Sequence, residues 1–166
     1  MKWGGTFLLE IKSNGPNETQ MVAEKLAALL QPNDLILLIG DLGSGKTTFT
    51  QGLAAGLKID HHVKSPTFNI VNEYHQGRLP LFHLDVYRLE KTGGADLGLE
   101  EYFDGGGVSV VEWPKFISQE LPPEFLQIKL QRGVTIHDDD QRKLVFTANG
   151  VRYQQLLLDL KLQLKK

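Results

Sequence analysis

The stretch GDLGSGKTTFT, residues Gly40–Thr50, decides the fold of this chain. It satisfies the pattern G-x-x-x-x-G-K-[ST], with Gly40, Gly45, Lys46 and Thr47 at the defining positions. Phosphate oxygens need several donors at close range, and glycines let the backbone bend and offer its amides without Cβ obstruction. The pattern carries meaning only between a buried strand and a helix. Here DLILLIG, residues 34–40, is a short apolar run suited to a strand buried on both faces, as in a parallel sheet. A helix from about Lys46 to Leu57 follows, and its N-terminal dipole adds positive potential at the loop. The expected ligand is a magnesium nucleotide, with Lys46 on the β/γ-phosphates and the Thr47 hydroxyl on Mg²⁺.

Upstream, TFLLEI (residues 6–11) reads as a strand and NETQMVAEKLAALL (residues 17–30) as a helix capped by Asn17 and ended by Pro32-Asn33. Downstream, FNIVNEY (68–74) and LPLFHLDVY (79–87) flank a hairpin turn at residues 75–78. Residues 92–107 hold six glycines around one short helical segment, which predicts a mobile loop. VSVVEW (108–113) is a further buried strand. LQIKLQR (126–132) and RKLVFTA (142–148) predict a second hairpin joined by an acidic turn at Asp138–Asp140, and RYQQLLLDLKLQL (152–164) a closing amphipathic helix. The order predicts an α/β fold of P-loop NTPase type, a three-layer sandwich with a mixed sheet that is parallel at its centre and antiparallel at its margins. No linker or repeat divides residues 1–166, so one P-loop domain is expected.

A P-loop enzyme also needs a carboxylate at the end of a neighbouring apolar strand, for Mg²⁺ or its water. LPLFHLD delivers Asp85, and strand alternation sets Leu81, His83, Asp85 and Tyr87 on one side. His83 either orients Asp85 or is a core histidine. VSVVEW delivers a second strand-end acid, Glu112, which would meet Asp85 at the carboxyl edge where open α/β sheets bind ligands. One acid would serve Mg²⁺ and the other the attacking water. Trp113 either covers the nucleotide or packs. Ser65 or Thr67, in VKSPTF between the P-loop helix and the next strand, occupies the place of a γ-phosphate sensor.

Bulk properties exclude several classes. Net charge is −2, so nothing global attracts nucleic acid or anionic lipid. Cysteine is absent, which removes disulfides and thiolate chemistry. No window approaches the ~20 apolar residues of a membrane span, and MKWGGTFLLEIKS has too short an apolar run for a secretory signal; a cytoplasmic protein is expected. The five histidines show no metal-site spacing. A GTPase would carry N-K-x-D and D-x-x-G, and neither occurs in place. A small-molecule kinase would close an arginine-bearing lid, whereas the five arginines are scattered and the 92–107 loop holds none. An ATPase acting through a partner fits better, with the kinase as the alternative.

Taken together, GDLGSGKTTFTQGLAAGL, VKSPTFNIVNEY, HLDVYRL, GLEEYF and VVEWP resemble, in order and spacing, the bacterial TsaE (YjeE) family, over roughly residues 6–160. The resemblance implies a cytoplasmic, Mg²⁺-dependent ATPase, weak when isolated, needed for threonylcarbamoyladenosine at tRNA position 37. It implies TsaB and TsaD as partners, with tRNA met through that complex. Carried over by motif, Asp41, Leu42, Gly43, Ser44, Gly45, Lys46, Thr47 and Thr48 wrap the phosphates of ATP. Thr67 and Trp113 join the nucleotide site, Thr47 and Glu112 hold Mg²⁺, and Asp85 and Glu112 are the catalytic acids. Residues 115–166 receive no role.

Overall fold

A computed structural model of the protein describes residues 7–133, 137 and 139–166. The expected acidic turn therefore falls partly outside the described residues, at Asp138, and so do Thr6 and the start of the chain. Seven strands form one sheet: β1 (Phe7–Ser13), β2 (Leu35–Ile39), β3 (Val71–Tyr74), β4 (Leu81–Asp85), β5 (Val108–Glu112), β6 (Phe125–Arg132) and β7 (Arg142–Asn149). Their spatial order is β1-β7-β6-β2-β5-β4-β3. The pairs β6–β2, β2–β5 and β5–β4 are parallel, while β1–β7, β7–β6 and β4–β3 are antiparallel. The fold is the expected α/β class with a centrally parallel, mixed sheet. The central strands are the apolar runs LILLI, LFHLD and VSVVE, with almost every residue buried because both faces are covered.

One face packs against the helices α1 (Pro16–Ala27), α2 (Lys46–Gly56) and α4 (Val151–Leu164). Phe49 of α2 is fully buried beside Phe146 of β7, with ring centroids 6.3 Å apart, and so anchors the P-loop helix to the sheet. α1 and α2 approach closely because glycines of α2 face α1: a Cβ on Gly52 would lie 2.7 Å from the Ala23 Cβ, and one on Gly56 2.5 Å from the Ala27 Cβ. The other face is covered over β2, β5 and β4 by α3 (Leu99–Phe103) and the 3₁₀ turns Tyr87–Leu89 and Pro114–Ile117.

Several boundaries differ from the sequence reading, each for a local reason. α1 begins one residue before Asn17, with Pro16 at its first turn and no side-chain cap; Glu18 instead accepts a hydrogen bond from the Asn14 amide at 2.8 Å. Pro16 suits this position because its fixed φ and missing N–H cost a helix nothing there. Residues 68–70 form a turn, not a strand, with the Asn69 and Ile70 amides bonding the Pro66 carbonyl. Trp113 leaves the strand through a left-handed backbone, φ 61°. Among the described residues, no helix is long and apolar enough to cross a membrane.

Candidate functional site

The loop between β2 and α2 is shaped by its glycines. Gly43 (φ 77°) and Gly45 (φ 108°) adopt conformations that side chains rarely allow. A Cβ at Gly40 would sit 2.3 Å from Ser44 Oγ and 3.0 Å from the Leu130 carbonyl. Leu42, at the crest of the loop, is 89% exposed, as expected of a surface turn. Ser44 Oγ is buried and has no hydrogen-bond partner among the described residues. A buried hydroxyl without a partner is costly unless a ligand completes it. Left-handed glycines, a free hydroxyl and an adjacent lysine suit the oxygens of a phosphate chain.

Lys46, the first residue of α2, is buried, and its Nζ donates to the Gly40 carbonyl at 2.7 Å. Glu112 Oε1 lies 3.8 Å from the same nitrogen, and the Trp113 ring centroid 4.4 Å from it. The gross attraction of such an ion pair is about 4 kcal/mol at an effective dielectric near 20. Desolvation costs several kcal/mol per buried ion, so the pair orders these groups without adding net stability. One ammonium is thus held by a carbonyl at the end of β2 and by a carboxylate and an aromatic face from the consecutive residues Glu112 and Trp113.

The parallel register places Asp85 directly opposite Glu112 at the ends of β4 and β5. His83, fully buried, donates from Nε2 to Glu112 Oε2 at 2.6 Å, and its Nδ1 has no partner among the described residues. His83 therefore serves Glu112, a third arrangement beside the two considered from sequence. The Asp85 carboxylate is set separately. Oδ1 accepts the Tyr87 amide at 3.1 Å, and Oδ2 accepts the Thr67 hydroxyl at 3.3 Å. With that proton committed, Ser65 donates to Thr67 Oγ1 at 2.6 Å. Ile70, left-handed at φ 67°, turns its carbonyl to the Asp85 amide at 2.8 Å. The S-P-T segment is thereby fastened to the strand-end acid.

Trp113 contacts Tyr87 and Phe116, with centroids 5.1 and 6.4 Å away, so it packs and faces Lys46 at once. A cavity of about 930 Å³ runs beside the loop, lined by Gly40, Asp41, Ser44, Lys46, Trp113 and, farther out, Phe125, Lys129 and Arg132. That volume lies in the range of small-molecule sites. Thr47, Thr48, Thr67, Asp85 and Glu112 do not line it.

Sequence reasoning missed two residues. Arg132, at the end of β6, donates to the Leu42 carbonyl at 3.0 Å. Arg142, at the start of β7, donates from Nε to the Ser44 carbonyl at 2.8 Å and from Nη2 to the Gly43 carbonyl at 3.3 Å. These contacts span 90 to 99 residues of sequence, and no local motif announces them.

Comparisons with known proteins place this geometry. Residues 13–143 match the family model described as threonylcarbamoyl adenosine biosynthesis protein TsaE. The tRNA threonylcarbamoyladenosine biosynthesis protein TsaE of Bacillus subtilis (strain 168) is 49% identical over 152 residues, 92% of this chain and 93% of that protein. The protein of the same name from Streptomyces coelicolor is 37% identical, over 80% of this chain and 91% of its own length. A crystal structure of Bacillus subtilis YdiB superposes with a TM-score of 0.84 at 44% identity, covering 96% of this chain and 97% of that one.

Proposed function

This chain belongs to the TsaE family and acts in the biosynthesis of tRNA threonylcarbamoyladenosine; we propose that it does so as a Mg²⁺-dependent ATPase working in the cytoplasm with TsaB and TsaD. The observation that carries the ATPase reading is Lys46, at the head of α2 and held 3.8 Å from a strand-end carboxylate beneath a loop of left-handed glycines. In the proposed site the amides of residues 41–48 wrap the phosphates, and Lys46 exchanges the Gly40 carbonyl for phosphate oxygen. Thr47 and Glu112 would hold the metal, which when bound would neutralise charge on the phosphates.

His83 keeps the Glu112 carboxylate aimed, since its Nε2–H occupies the second oxygen. Asp85 aligns the attacking water and takes its proton. Thr67 couples that acid to the segment after α2, the place from which this segment would sense a bound γ-phosphate. Trp113 lines the cavity beside the loop and faces Lys46, a place from which it would cover the bound nucleotide.

The test is a strain lacking the chromosomal gene, complemented with Lys46→Ala or Glu112→Ala, with the tRNA nucleoside measured by mass spectrometry. Loss of threonylcarbamoyladenosine is expected with both. Removing a lysine–phosphate contact of this kind weakens ATP binding on the order of a hundredfold. Full modification by both variants refutes the nucleotide role. Single-turnover hydrolysis with and without TsaB–TsaD checks the partnership: a rate that the pair leaves unchanged refutes it.

A further inference from the structure

The carbonyls of a phosphate-binding loop must face outward if its amides are to face the ligand. In this loop three consecutive outward carbonyls, those of Leu42, Gly43 and Ser44, are each taken by a guanidinium. Arg132 takes the first and Arg142 the other two. Gly43 is needed for this approach as well as for its φ, because a Cβ there would meet the Arg132 Nη2. Arg132 and Arg142 are also register partners across β6 and β7. Like charges directly opposite one another destabilise a sheet, so their pairing at this end calls for a compensating role.

We propose that Arg132 and Arg142 are positioning residues for the phosphate-binding loop: by binding its outward carbonyls they preset its amides toward the nucleotide and strengthen them as donors. Charge-assisted bonds are stronger than neutral ones, and a donor on a carbonyl polarises that peptide, making its amide a better partner for an anion. With Lys46 they also gather three cations around one loop, a field suited to a polyphosphate. Arg142 carries the larger share, through two carbonyls and through further bonds to the Asp139 and Gln141 carbonyls that fix its own guanidinium. The inference rests on the nucleotide reading above and extends it to residues beyond 115.

The experiment measures ATP affinity calorimetrically for wild type, Arg142→Ala, Arg132→Ala, Arg142→Gln and Lys46→Ala, with amide hydrogen exchange of the loop recorded without nucleotide. Arg142→Ala should weaken ATP binding about tenfold and Arg132→Ala about threefold, the range expected on losing charge-assisted bonds. Loop amides should exchange faster in both while protection in β2 and α2 stays as in wild type. Arg142→Gln, which keeps an N–H donor without the charge, should restore loop protection more fully than affinity. Wild-type affinity and loop protection in both alanine variants, with Lys46→Ala impaired, overturn the inference alone. An affinity loss matched by accelerated exchange throughout the protein also overturns it, since the arginines would then be general braces. Absence of ATP binding by wild type overturns the nucleotide reading and this inference with it.

Discussion

Replacing Gly52 by alanine sets two known effects against each other. Alanine is favoured over glycine inside a helix by about 1 kcal/mol, so α2 alone would gain from the change. The added methyl, however, would lie 2.6 Å from the Gln20 carbonyl oxygen, 2.7 Å from the Ala23 Cβ and 2.8 Å from the Gln20 Cα. Two of these are α1 backbone atoms, which no rotamer change can remove. Restoring ordinary contact near 3.5 Å requires α1 to retreat by roughly 1 Å. α1 is held by Val22, Ala23, Leu26 and Ala27, all buried, so retreat opens gaps on either side of the new methyl. Overpacking of this kind costs about 1–3 kcal/mol, and the rigid neighbours place it near the top of that range. Net of propensity, Gly52→Ala should lose about 2 kcal/mol, a fall of roughly 4–8 °C in Tm for a chain of this size. Urea unfolding followed by fluorescence measures it. Gly56→Ala should behave alike, and the double variant should cost less than the sum, because one displacement of α1 relieves both clashes. A gain of about 1 kcal/mol for Gly52→Ala would show that propensity rules and that the α1–α2 contact is soft, refuting the reasoning.

Other outcomes follow from single contacts. His83→Ala strips the buried Glu112 carboxylate of its imidazole donor and should cost about 1.5–3 kcal/mol of stability and raise the Mg²⁺ concentration needed for ATP hydrolysis. His83→Gln should recover more of the Mg²⁺ response than of the stability, and an unchanged Mg²⁺ response in both variants refutes the positioning role. Tyr153 donates no charge at neutral pH; its hydroxyl accepts the Leu35 amide at 2.8 Å, and burial pushes its pKa up to about 12. The unfolded chain ionises near pH 10 while the folded one stays protonated, so stability falls as pH rises from about 10 to about 12 and is unaffected by this group below that window. Tyr153→Phe should lose about 1–3 kcal/mol at pH 7, from the unpartnered Leu35 amide, and should show a shallower alkaline decline than wild type. Parallel pH–stability curves above pH 10 would refute the assignment.

The parts of this site that could be read from sequence are those encoded by short-range rules. The loop Gly40–Thr48 is a fixed spacing, and Asp85 and Glu112 each end an apolar run, so strand alternation and parallel register bring them together. The buried apolar runs likewise foretold the central strands. What escaped is what depends on tertiary neighbours. Arg132 and Arg142 face the loop because β6 ends and β7 begins beside it, and nothing in their own flanking residues says so. His83 selects Glu112 across 29 residues because both side chains project from the same face of adjacent strands. The shortened strand before Val71 reflects the turn at Pro66, whose carbonyl draws the following amides out of any ladder. Asn17 lost its capping role to a proline one residue earlier, a competition that composition alone leaves level.

Ile70 and Trp113 each hold a left-handed backbone, unusual for a β-branched and for an aromatic residue. Such residues cost of order 1–3 kcal/mol apiece and persist only where their surroundings over-determine them. Ile70 keeps its place because its carbonyl receives the Asp85 amide, and Trp113 because the turn lays its indole under Lys46 directly after Glu112. Part of the backbone strain of this chain is therefore held at its site, and substitutions that relaxed these two turns would release Asp85 and Lys46 from their neighbours. Attempts to harden the protein by relaxing these two turns should trade heat resistance directly against nucleotide handling.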